Sequence, residues 1–341
     1  MKRLLLLTLT TLSAFIICGC SDNRPELNVY TWSDYIDDSL VKEFEDKYNC
    51  KVVIDTFDSN EAMYAKIKAG ASGYDIIMPT SYMAEVMYKE KLIEKLDLSK
   101  IPNANCIDKL YLQKLAFDKT MEYSIPYMLG YTCIAYNKER VLKPENSWSI
   151  FFRKDLSGRM TLLNDTRETL GAALLYKGYS VNTTNQKELD IAVKQVNRWK
   201  KYIAKFDNEV YKIGLTSGEF WVVQGYSGDI LQAIQERPNI AIIIPKEGVS
   251  ISCDDLVIPT SSDNKELAYK FINFIIEPKN AAKNMEYTQF FAPVPAAMEF
   301  VKELDLNLIF PTELYDRGQL IKDLGDDNRK YYEAWSKVKS N

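Results

Sequence analysis

The chain has 341 residues, with 43 basic against 47 acidic side chains, no histidine and a formal net charge of −4. The absence of histidine excludes Ser-His-Asp and Cys-His hydrolases and every histidine-containing zinc site. The acidic balance argues against a nucleic-acid partner and favours a cationic ligand. A length well beyond about 250 residues exceeds one comfortable core, so two domains are expected.

In chain order, Lys2 and Arg3 precede an apolar run from Leu4 to Ile17, followed by Cys18-Gly19-Cys20. A charged start and a short apolar stretch read as a secretory signal peptide over residues 1–19. The small residue before Cys20 fits lipoprotein processing, with Cys20 as the lipidated first residue. The predicted mature protein is exported, tethered to a membrane through lipid and otherwise soluble. Loss of Lys2 and Arg3 lowers the 43 basic side chains by two, to 41 against 47 acidic ones, for a net charge of −6. Cys50, Cys106, Cys133 and Cys253 then remain, with no CxxC spacing, so metal binding through them is not expected. An exported setting permits disulfides, but sequence cannot pair four cysteines; free buried thiols are the default expectation.

The first third alternates strands and helices. Leu27–Tyr30 reads as a strand. Residues 39–48 place Leu40, Val41, Phe44 and Tyr48 at helical spacing. Lys51–Phe57 reads as a strand, and Asp58, Ser59 and Asn60 open a helix through Ile67 that Gly70 ends. Tyr74–Met78 is a buried strand stopped by Pro79, and a helix follows over 81–91. This order predicts parallel βαβ units. Gly130–Asn137 reads as a strand leaving that lobe. Residues 148–244 repeat the alternation, with their clearest helix over 187–203. Asp254–Ile258 is a further apolar strand, followed by a helix carrying Leu267, Phe271, Ile272 and Ile275. The chain closes in a helix over 327–338.

In parallel sheets ligands bind beyond the carboxyl ends of strands. Both Tyr30-Thr31-Trp32-Ser33-Asp34-Tyr35 and Pro79-Thr80-Ser81-Tyr82 lie at such ends, so they are candidates for one crevice. Aromatic faces attract a cation through the ring quadrupole, and a carboxylate adds a charge-assisted hydrogen bond. On these residues alone, Trp32 and Tyr35 read equally as core residues and Asp34 as a helix cap.

The chain resembles the spermidine/putrescine-binding proteins of polyamine ABC importers. The resemblance rests on Trp32-Ser33-Asp34-Tyr35, the run from Ser59 to Lys66, Asp75 through Tyr82, Tyr123-Ser124-Ile125-Pro126-Tyr127, Asn164-Asp165-Thr166-Arg167-Glu168, Pro245-Lys246-Glu247-Gly248 and Ile272-Asn273-Phe274. These run in order over nearly the whole mature chain. The resemblance implies an α/β, two-lobed periplasmic substrate-binding protein fold of the class II type. Each lobe is a mixed sheet flanked by helices, and the lobes close by a hinge around the ligand. It implies chain crossings near Gly130–Tyr136, Ser252–Leu256 and Ala292–Ala297. Lobe one is then 26–131 plus 255–295, and lobe two 135–252 plus 298–341. The implied cage is Trp32, Tyr35 and Tyr82, with polar contacts from Ser33, Asp34 and Thr80. Carboxylates come from Asp165 and Glu168 of the other lobe and from Asp254 at the crossover, where the neighbouring Asp255 leaves the assignment open by one position. Four positions depart from the spermidine-binding pattern: Tyr226 and Ser252 stand for tryptophans, Phe290 for a tyrosine and Ile321 for a glutamine. Tyr226 and Phe290 are retained as cage walls. The Ser-Asp-Tyr after Trp32 is closer to the putrescine-binding relatives, so putrescine is expected to bind at least as well as spermidine.

The chemistry of the residues agrees with this. A polyamine needs flat apolar walls for its methylenes, at about 0.8 kcal/mol per buried CH₂, and carboxylates for its ammonium ends. Asp165 and Glu168 also fit a bland reading, an N-cap with its capping-box partner, and Tyr82 fits a hydrophobic staple. Arg167 is expected to orient Asp165 or Glu168. A second reading is ferric-iron binding on the same fold, using adjacent tyrosines such as Tyr331-Tyr332. A glycosidase reading of Asp165 and Glu168 fails because three-residue spacing puts both groups on one wall. The expectation is therefore capture without catalysis and without a cofactor. The protein is expected to be a monomer, periplasmic and lipid-anchored to a bacterial membrane, that delivers its ligand to an ABC permease and its ATPase.

Overall fold

The computed structural model describes residues 24–114 and 118–340; the predicted leader and Cys20 lie outside the described residues. Three parallel strands, β1 (Glu26–Thr31), β2 (Lys51–Thr56) and β3 (Ile76–Ile77), form a first sheet in the order β2-β1-β3. Side chains alternate across β1. Leu27 and Val29 enter a core with the helices Asp38–Tyr48 and Lys265–Ile275, while Tyr30 on the opposite face joins a second core. The helix Asp38–Tyr48 starts at Asp37, whose carboxylate accepts from Ser39 N at 2.7 Å. The helix Asn60–Lys68 starts at Ser59, whose hydroxyl accepts from Ala62 N at 3.3 Å.

The larger, mixed sheet comprises β4 (Ile125–Asn137), β5 (Met160–Leu162), β6 (Lys205–Phe206), β7 (Val222–Tyr226), β8 (Ile240–Ile243), β9 (Val249–Leu256) and β10 (Gly318–Leu320). It runs β10-β9-β4-β7-β5-β6, with β8 also on β4. The helices Thr166–Tyr176, Gln186–Trp199 and Asn328–Ser340 pack on it around Trp199 and Tyr331.

β4 and β9 join the two sheets. Their antiparallel ladder runs from Ile125↔Leu256 to Tyr131↔Ile251 and includes the pair Gly130↔Ser252. β9 then reaches the first sheet, where Ile77 and Val257 exchange backbone hydrogen bonds of 3.0 Å. A third segment lies alongside: Leu129 and Phe291 exchange bonds of 2.7 and 3.1 Å. Both long strands begin earlier than their sequence signals. Pro126 has no N–H to give a ladder, and a register shift between Pro126 and Met128 accommodates it. The start of β9 is disguised by Gly248, Ser250 and Ser252. Beyond Ala297, Met298, Val301 and Leu304 pack against the first core, as does Leu320 of β10. The helix expected over 187–203 ends at Trp199. Cys50, Cys133 and Cys253 are buried and Cys106 is half-buried, all as free thiols.

Asp75 locks the first sheet to its covering helix. One carboxylate oxygen accepts from Asn28 N at 2.9 Å; the other accepts from Ser262 Oγ at 2.8 Å and Asn264 N at 3.1 Å. Removing a buried acceptor strands its donors. Asp75→Ala should lower the unfolding free energy by about 2–4 kcal/mol in a urea titration, whereas a change under about 0.5 kcal/mol would place those donors in water.

Candidate functional site

A cavity of about 350 Å³ lies between the sheets and opens on the carboxyl ends of β1 and β3. All eleven predicted site residues line it. Trp32, Ser33, Asp34, Tyr35, Thr80 and Tyr82 come from the first sheet's loops. Asp165, Glu168 and Tyr226 face them, and Asp254 and Phe290 come from the crossing segments. Ser252 and Ile321 line it as well.

The loop after β1 turns at Asp34, which takes a left-handed φ of 54°, tolerated by aspartate better than by bulky residues. Its far end is pinned through the carbonyl of Tyr35, which accepts from Tyr127 Oη at 3.0 Å and Asn284 Nδ2 at 3.3 Å. Trp32 leans on Phe57 with centroids 4.4 Å apart. The Tyr35 ring meets Phe290 edge-on at 5.5 Å. Phe290 in turn lies against Gly130 and Gly228, where a Cβ would stand 2.6 and 2.3 Å from its ring. Only glycine lets the ring approach the strands this closely.

Asp254 is held from both sides of the first lobe. Tyr35 Oη donates to Oδ2 at 2.6 Å and Thr80 Oγ1 donates to Oδ1 at 2.7 Å. Thr80 occupies the N-cap of the helix Ser81–Lys89 without capping it, its hydroxyl being committed to Asp254. Asn60 Nδ2 donates to that hydroxyl at 3.0 Å. Burial pushes the Asp254 carboxyl up to about 6, with the two hydroxyls acting against the rise. The neighbouring Asp255 points away, accepting from Ser81 Oγ at 2.8 Å. The register thus assigns the cleft carboxylate to Asp254.

On the opposite wall, both readings of Asp165 hold at once. Its Oδ1 caps the helix Thr166–Tyr176, accepting from Arg167 N and Glu168 N at 2.8 and 2.9 Å. Its Oδ2 accepts from Tyr226 Oη at 3.2 Å on the cleft side. Glu168 does not complete a capping box. Its Oε2 instead accepts from Thr132 Oγ1 of β4 at 2.6 Å and from Ser250 Oγ of β9. Burial, then the charge of Asp165, pushes Glu168 up to about 7, and burial raises Asp165 too. Arg167 bonds neither side chain. Its guanidinium donates to Lys322 O at 2.9 Å and to Asn182 Oδ1 at 2.9 Å, and it lies 5.5 Å above the Tyr82 ring. Tyr82 is therefore a contact between the two walls.

Sequence reasoning missed Lys212, Asp229 and Asn208. Lys212 Nζ donates to Asp34 Oδ2 at 2.8 Å and Asn208 Nδ2 to Asp58 O at 3.1 Å, both across the cleft. None of these three residues belongs to a motif, and only the tertiary fold brings them to the site. The adjacent tyrosines of the iron reading do not line the cleft. Tyr331 Oη donates to the carbonyls of Val181 and Thr183, at 2.8 and 3.0 Å. Among the described residues no cluster of acidic or thiol side chains could hold a metal ion.

The cleft between the two α/β lobes is walled by aromatic rings and lined by seven acidic and two basic side chains. The model of the bacterial extracellular solute-binding proteins matches residues 39–305. The chain belongs to that family. This solute-binding protein is 32% identical over 358 residues to the putrescine/cadaverine-binding protein of Pseudomonas aeruginosa, covering 99% of each chain. It is 33% identical over 325 residues to the spermidine/putrescine-binding periplasmic protein of Escherichia coli K12, covering 94% of this chain and 93% of that one. Among solved structures, it resembles the Tp0655 (TpPotD) lipoprotein of Treponema pallidum with a TM-score of 0.83 at 38% identity, over 92% of this chain and 99% of that one.

The raised carboxyls of this solute-binding protein set the sign of its pH dependence. A carboxyl whose folded value lies above its unfolded value favours folding when protonated, and that contribution is lost as pH rises through the folded value. With Asp254 at about 6 and Glu168 at about 7, the loss begins near the ordinary carboxylate value of about 4 and is complete by about pH 7. The contribution of these carboxyls to the melting temperature of the ligand-free protein should therefore fall between about pH 4 and pH 7, less steeply in Glu168→Gln. Parallel curves for the two proteins in differential scanning calorimetry would contradict the assignment to Glu168.

Proposed function

We propose that this solute-binding protein captures a polyamine, putrescine or spermidine, between its lobes and hands it to an ABC permease driven by an ATPase, without catalysis. The observation that carries the reading is the pairing of buried carboxylates with aromatic walls on both sides of one cleft. A diamine or triamine supplies the cations that Asp254, Asp165 and Glu168 lack, and its methylenes fill the space between the rings of Trp32, Tyr35, Tyr82, Tyr226 and Phe290. The printed names of the Pseudomonas and Escherichia relatives support the same ligand class, over nearly the whole chain.

In this reading the lobes are residues 26–131 with 255–295 and 135–252 with 298–341. Closure about the adjacent crossings of β4, β9 and Phe291 brings Asp165 and Glu168 over a ligand already resting on Trp32 and Asp254. Differential affinity for the closed form is what drives such a motion. The protein works as a monomer in the periplasm, held to a membrane by lipid on Cys20, with residues 1–19 removed as the leader.

Calorimetric titration of the chain from Ser21, unfolded and refolded to strip bound solute, tests the reading. Putrescine or spermidine should bind at micromolar or tighter affinity and lysine should not; binding of neither polyamine would overturn it. Tyr226→Ala should weaken binding by about 1–3 kcal/mol, and an unchanged affinity would remove that ring from the site. Acidification protonates Asp254 and Glu168 and should weaken binding progressively below about pH 7.

A further inference from the structure

Five of the seven cleft carboxylates fall into two groups, and in one of them the protein places a cation of its own. Asp254 lies within electrostatic reach of Asp165, which in turn acts on Glu168. Asp229 instead responds to Lys212 and Asp34. Around the Lys212 ammonium stand three acceptors: Asp34 Oδ2 at 2.8 Å, Gln232 Oε1 at 2.9 Å and Asp229 Oδ1 at 4.0 Å. Gln232 and Asp229 are fixed from behind. Gln232 Nε2 donates to the carbonyls of Tyr287 and Thr288 at 3.0 and 3.2 Å, so its oxygen faces the lysine. Asp229 Oδ2 accepts from Tyr211 Oη at 2.5 Å. The lysine side chain is only 20% exposed and lines the cavity. An ammonium has three protons to donate; here two oxygens stand within hydrogen-bond distance and a third carboxylate oxygen within ion-pair distance. It is a binding site for an alkylammonium, filled by an alkylammonium of the chain.

We infer that Lys212 occupies the ammonium position at one end of the cleft and thereby limits the ligand to a short diamine, against triamines that would need that position for their third charge. The inference rests on the polyamine reading above and narrows it. A diamine spans Asp254 and the Asp165/Glu168 wall and stops short of Lys212. A triamine reaching further must displace Nζ from Asp34 and Asp229 or lie beside it, and like charges repel strongly where water is scarce. The rival role for Lys212 is a closing contact between lobes, since Asp34 and Lys212 lie on opposite walls. The two roles differ in outcome. Losing a closing contact weakens every ligand alike, whereas removing a resident cation frees two carboxylates for a longer ligand.

The test is calorimetric titration of the refolded chain from Ser21, which contains every described residue, with α,ω-diamines of increasing length and with spermidine. The wild type should bind putrescine at least about tenfold more tightly than spermidine, and its affinity should fall as diamines lengthen beyond cadaverine. In Lys212→Met, spermidine should gain about tenfold or more while putrescine changes less than about threefold. Equal proportional losses for both ligands in the variant would overturn the inference in favour of the closing contact. Wild-type affinity that is flat or rises with diamine length would overturn it without any variant. A wild type that binds polyamines without discrimination sinks this inference alone; one that binds none sinks the polyamine reading with it.

Discussion

Asp165, Glu168 and Asp254 are taken out of water in a cleft whose other walls are aromatic, and everything else about the site answers to that cost. Moving a carboxylate into a medium of low polarity is so unfavourable that an unpartnered group takes up a proton instead. The protein offsets part of the cost with donors of its own: Tyr35 and Thr80 for Asp254, two backbone N–H groups and Tyr226 for Asp165, Thr132 and Ser250 for Glu168. Hydroxyl donors leave the charge in place, and the carboxyls of Asp254 and Glu168 stay raised, to about 6 and about 7. A cation arriving in the cleft relieves what the hydroxyls cannot. At the Asp34 and Asp229 end, the protein supplies that cation through Lys212.

The same strands carry the chemistry and the connection between lobes. β4 contributes Thr132 and the close approach at Gly130; β9 contributes Ser250, Ser252 and Asp254. Phe290, next to the backbone bond between Phe291 and Leu129, closes the space beside Gly130. In the proposed cycle, movement about these segments changes the surroundings of Asp254 and Glu168 directly, so closure and charge compensation are one event. Tyr35 and Thr80 reach Asp254 from the first lobe while Thr132 and Ser250 reach Glu168 from the crossing strands, which ties both carboxylates to the relative position of the lobes.

Much of this was legible in the sequence. The βαβ order of the first lobe followed from periodicity and caps, because its strands are short, apolar and separated by Ser59 and Gly70. The eleven candidate residues converge on one cavity: strand ends brought Trp32, Ser33, Asp34, Tyr35, Thr80 and Tyr82 together by local rules, whereas Asp165, Glu168, Tyr226, Asp254 and Phe290 were reached through the family resemblance. Legibility failed where contacts are long-range. Pro126 looks like a breaker in isolation, yet β4 runs through it because β9 and Phe291 supply the strand's partners. Arg167 stands beside two carboxylates in sequence but turns to Lys322 and Asn182, more than ten residues away in each case. Lys212 meets Asp34 from 178 positions away, a pairing no local pattern encodes. Capping and binding also proved compatible at Asp165, because a carboxylate has two oxygens and a cap uses one.

The central claim is that a cationic ligand completes the charge balance of buried, partly protonated carboxylates. Its most direct test is the count of protons exchanged on binding, from calorimetric titrations with putrescine near pH 6.5 in buffers of different ionisation enthalpy. A ligand ammonium that lowers the carboxyl values of Asp254 and Glu168 must expel protons, so the account predicts net release of a substantial fraction of one proton per ligand, about half or more. The release should shrink in Glu168→Gln. Binding with no proton exchange, or with proton uptake, would contradict the account.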